Sequence, residues 1–131
     1  MFIRFFSAAI DPDSLVPAGL FCAALDLLDS GELPEYESDA IRELKEWFDK
    51  HLLSPFDYLP LQERYYRAVC WFKPTAYEHL ARAWELVAVL ERNDVLIWTI
   101  KSPRIGYVHY EDEVQVLARP YGDIRLLLKR V

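Results

Sequence analysis

Residues 67–100 spell out one unit of structure, and that unit narrows the choice of fold more than any other feature of the chain. Arg67 to Phe72 is a short apolar run of strand composition. Thr75 and Glu78 stand at the spacing of a capping box, in which two side chains satisfy backbone donors at a helix start. Leu80, Ala83, Trp84, Val87 and Leu90 then recur with the 3.6-residue period as far as Asn93. Val95 to Ile100 follow as a second apolar run. Strand, helix and strand with short joints predict a crossover between two parallel strands of one sheet, with the helix over residues 75–92.

The rest of the chain supplies elements to complete that sheet. Residues 2–9 are apolar on both alternating sets except at Arg4, the pattern of a strand covered on both faces. A helix is expected from Pro17 to Asp29, with proline in its first turn, Leu20, Phe21, Ala24, Leu27 and Leu28 as its stripe, and Gly31 just past its end. A second spans Glu35 to Leu52, with Ile41, Leu44, Phe48 and Leu52 on one face. Tyr107–Tyr110 and Val114–Ala118 read as a hairpin. A three-residue loop, Glu111-Asp112-Glu113, would pair Tyr110 with Val114 and Val108 with Val116 and keep one apolar face. Ile124, Leu126 and Leu128 alternate as a last strand. The expected fold is therefore α+β: one mixed sheet of about five or six strands, one β-α-β unit, a C-terminal antiparallel hairpin or meander, and about three helices.

With 131 residues, of which 53% are hydrophobic and 15% aromatic, the chain fits a single globular domain over 1–131 that needs no disulfide or metal to hold it. Cys22 and Cys70 are too far apart for a zinc knuckle or a CxxC pair and read as buried free thiols of a reducing compartment. Residues 1–10 resemble a leader peptide only superficially, because Arg4 interrupts the apolar run and Asp11, Pro12 and Asp13 replace a cleavage site. No apolar run approaches the ~20 residues that cross a bilayer, so the expected location is the cytoplasm.

Charge is divided unevenly. Residues 1–62 hold 12 acids and 4 bases, and residues 63–131 hold 9 acids and 11 bases, for a net charge of −6. An acidic first half repels phosphates, which argues against nucleic acid as a partner, and it would steer a basic protein. An acidic balance also serves solubility alone. The second helix carries Glu35, Glu37, Asp39, Glu43 and Glu46. Tyr58, in the apolar connector from Phe56 to Leu61, belongs to a residue type that buries large contact area at small entropic cost. Tyr65, Tyr66 and Tyr121 lie in similar proline-broken segments.

Motifs that name a reaction are missing from the chain. It has no GxGxxG, P-loop or GxSxG, and its four glycines are scattered. Asp11 and Asp13 flank a proline and read as a turn before a helix. His51 and His79 read as surface structure. His109 sits in the hairpin with Tyr107 and close to Glu111 and Glu113, a phenol, imidazole and carboxylate set suited to general acid–base work. Polar residues on an open hairpin face also arise from solvation alone. No cofactor and no metal site is expected.

The leading expectation is a small cytosolic, non-enzymatic protein-binding module of the inhibitor, immunity or accessory-subunit kind. It would act through an acidic, aromatic-rich surface formed by Glu35, Glu37, Asp39, Glu43, Glu46 and Tyr58. The alternative is a small hydrolase- or nuclease-like enzyme built on His109, Tyr107, Glu111 and Glu113.

Overall fold

The computed structural model describes residues 1–10, 17–55, 68–119 and 127–130. In chain order the elements are β1 (Phe2–Ile10), β2 (Pro17–Gly19), α1 (Leu20–Asp29), α2 (Glu35–His51), β3 (Val69–Phe72), α3 (Tyr77–Arg92), β4 (Ile97–Ser102), β5 (Tyr107–Glu111), β6 (Gln115–Arg119) and β7 (Leu127–Arg130). The fold is α+β, as the sequence predicts. Its strands form one sheet in the order β5-β6-β3-β1-β4-β7, with β2 paired to β1.

The crossover is present, but its two strands do not touch. β3 and β4 each pair antiparallel with β1, so they run parallel to one another with β1 between them. All the pairings among described strands are antiparallel. The expected mixed sheet thus becomes an antiparallel one built around a split β-α-β unit. The reason lies in β1, whose side chains are apolar on both faces. Ile3 and Phe5 join the core on the helix side, whereas Phe2 and Phe6 join a second cluster on the opposite face. Only an interior strand can bury both sets.

The helices cover one face of the sheet. α3 sends Leu80, Ala83, Leu86, Val87, Val89 and Leu90 inward, where they meet Leu20, Ala23 and Ala24 of α1, Ile41 and Phe48 of α2, and Ile97 of β4. Trp84 departs from the expected stripe. It lies at the rim, 39% exposed, with one edge against Phe5 at 4.9 Å. The capping box does not form either. Ala76 N–H donates to the Lys73 carbonyl at 3.0 Å, closing a turn with Pro74 at its second position. That turn leaves Ala76, not Thr75, at the cap position, and no side chain caps the helix. Pro17 likewise stands in β2, and α1 begins at Leu20. Gly31, at φ +69°, ends α1 in the left-handed conformation that glycine adopts without strain.

The hairpin exists in a different register from the one expected. Tyr107 faces Arg119 and Val108 faces Ala118, but Tyr110 faces Leu117 and Glu111 faces Val116. A bulge at His109 absorbs the difference, and the turn narrows to Glu113 and Val114, with Asp112 N–H donating to the Gln115 carbonyl at 3.0 Å. Asp112 explains this choice. One carboxylate oxygen accepts from the backbone N–H of Val114 (2.8 Å) and of Gln115 (3.0 Å). The other accepts from the Tyr110 hydroxyl (2.9 Å) and the Gln115 side-chain amide (3.2 Å). Asp112 therefore fixes the turn that the apolar pattern alone misassigns. The last strand, β7, pairs with β4 at the far edge. Among the described residues no helix is long and apolar enough to cross a membrane.

Candidate functional site

The structure splits the hairpin set between the two faces of the sheet. Arg119 and Val116 lie three residues apart on β6, so their partners Tyr107 and Glu111 project from opposite faces of the sheet. Tyr107 is 52% exposed, and the Arg119 guanidinium sits over its ring at 4.9 Å. Glu111 forms an ion pair with Lys73 at 2.6 Å. His109 is half-buried in the bulge, and Glu113 is exposed at the turn. Among the described residues no group of three or more histidine, cysteine or carboxylate side chains is placed to hold a metal ion. Neither cysteine is fully buried. Cys22 is exposed, and Cys70 is half-buried with its thiol pushed up to about 11, chiefly by burial. The nearby Arg4 opposes that shift and Asp112 adds to it.

The acidic helix splits into engaged and unengaged carboxylates. Glu37 turns inward, only 5% exposed, and accepts a two-pronged pair of hydrogen bonds from Arg92 Nε (3.1 Å) and Nη2 (3.2 Å). Those bonds hold Arg92 more firmly charged than usual. Asp39 pairs with Arg42 at 3.4 Å and Glu46 with Lys50 at 3.0 Å, both on the exposed helix surface. Such pairs contribute about 0.3–0.5 kcal/mol each. Glu35 and Glu43 are exposed and have no ion-pair partner among the described residues. Tyr58 lies outside the described residues, as do the whole 56–61 connector, Tyr65, Tyr66, Tyr121 and the Asp11–Asp13 turn.

Between α2 and α3 runs an open groove of about 470 Å³. Ala40 and Leu44 of α2 and Ala88 and Val89 of α3 make its apolar floor, with Glu43 and Glu85 along it. Glu85, like Glu43, is exposed and has no ion-pair partner among the described residues. At one end the Arg92–Glu37 fork closes the seam. At the other, Trp47 is packed on by three groups. The Arg82 guanidinium stands 4.1 Å from its ring, His51 stacks on it at 4.4 Å, and His79 meets it edge-on at 4.8 Å. Carbonyl oxygens only accept, so Nε2 of His79 donates to the His51 carbonyl (2.7 Å) and Nδ1 of His51 to the Trp47 carbonyl (2.8 Å). The bond from His79 to the His51 carbonyl ties the end of α2 to the first turn of α3. The two histidines form a joint between the helices and are not isolated surface residues. The i,i+4 spacings of Trp47–His51 and Glu78–Arg82 are visible in the sequence. Nothing local signals that they meet.

No protein family, no curated protein and no solved structure matches the chain.

Chemically, the groove offers no nucleophile paired with a base. It offers an apolar strip, two carboxylates without an ion-pair partner among the described residues, and two guanidiniums, Arg82 and Arg92, engaged by Glu78 and Glu37.

Proposed function

We propose that this chain is a cytosolic protein-binding module, of the inhibitor, immunity or accessory-subunit kind, that receives a basic partner on the outer surface of α2 and α3. The observation that supports it is the contrast within the acidic residues. Glu37, Asp39 and Glu46 are neutralised by Arg92, Arg42 and Lys50. Glu43 and Glu85 line the groove without an ion-pair partner among the described residues, whereas Arg82 and Arg92 beside them are engaged by Glu78 and Glu37. Carboxylates beside desolvated apolar surface attract a cationic partner more strongly than the same groups on a fully solvated face. The net charge of −6 adds long-range steering.

The test is comparative capture from the cell of origin, using wild type, Glu43→Lys/Glu85→Lys, and Asp39→Lys/Glu46→Lys as a control of equal charge change. A basic protein bound stoichiometrically, lost in the double variant and kept in the control, supports the proposal. Its association rate should also fall as salt rises, because surface fields are screened over about 8 Å at physiological strength. A partner whose association is unmoved by the double reversal overturns it.

A further inference from the structure

We draw no further inference here: the strongest candidate, the exposed stripe of Tyr77, Ala81, Trp84 and Ala88 along the outside of α3, is an apolar helix face flanked by acids and bases alike, and nothing in the structure shows what covers it.

Discussion

Asp112→Asn tests the account of the hairpin, because the two side chains are nearly the same size and differ in what they accept. In the wild type the carboxylate receives four hydrogen bonds, two of them from backbone N–H groups at 2.8 and 3.0 Å. The asparagine oxygen can keep the backbone pair. Its amide nitrogen then faces the Gln115 side-chain amide, donor against donor. Hydrogen bonds to a charged group contribute about 1.5–3 kcal/mol, and the half-exposed position of Asp112 reduces that through solvent screening. The expected loss at pH 7 is about 1–2 kcal/mol. The dependence on pH follows from the direction of the shift. Burial alone would raise the Asp112 carboxyl, but the bonds from Val114, Gln115 and Tyr110 outweigh it and hold the group below its ordinary 3.8. The stabilisation is therefore complete above the unfolded value and disappears as pH falls through the lower, folded one. Urea melts of both proteins at pH 7, 4 and about 2.5 should show the gap narrowing only below pH 4. A gap that stays constant across this range, or a variant as stable as wild type at pH 7, would refute the role assigned to the carboxylate.

Leu90→Ala should cost about 3–5 kcal/mol in chemical denaturation, since the side chain is fully buried between helices and sheet. Trp84→Phe should cost less than about 1.5 kcal/mol, because the ring sits at the rim and phenylalanine keeps the edge contact with Phe5. Gly31→Ala should lose about 1 kcal/mol through its positive φ alone, as no atom lies within 4 Å of the added carbon. A maleimide at pH 7 should label Cys22 and spare Cys70, whose thiol titrates near 11, with the second label appearing only after denaturation.

Elements whose signal is local were legible in the sequence. α2 and α3 follow from the 3.6 period, and the double-sided apolar character of β1 announces an interior strand. Which strands flank β1 is set by tertiary pairing, and no local pattern carries that information. Trp84 fits the periodic stripe as well as Val87 does, yet α3 buries a face that includes Leu86 and Val89 and turns the indole to the edge. Parity alone favoured a three-residue hairpin loop, because a bulge at His109 has no marker in residue type. The charge of α2 was visible as a list of acids, but which of them remain unengaged depends on Arg92, brought to Glu37 from 55 positions away. The groove is likewise a product of two helices that the sequence presents separately.

The position of β1 has a consequence for how the chain comes into being. Phe2 pairs with Ser102 and Ile3 with both Lys101 and Phe72, so β1 must be seated among strands made well after it. Contacts this distant along the chain are slow to close. During translation at roughly 5–20 residues per second, β1 waits several seconds with the edge that β4 will cover still open and apolar side chains on both faces. A ribosome stalled before β4 emerges would hold β1 with β2 and β3 already made but with the edge that β4 covers open to a neighbouring nascent chain. Slow codons upstream of residue 97 should therefore lower the soluble yield of this protein, and the same codons placed after residue 102 should not.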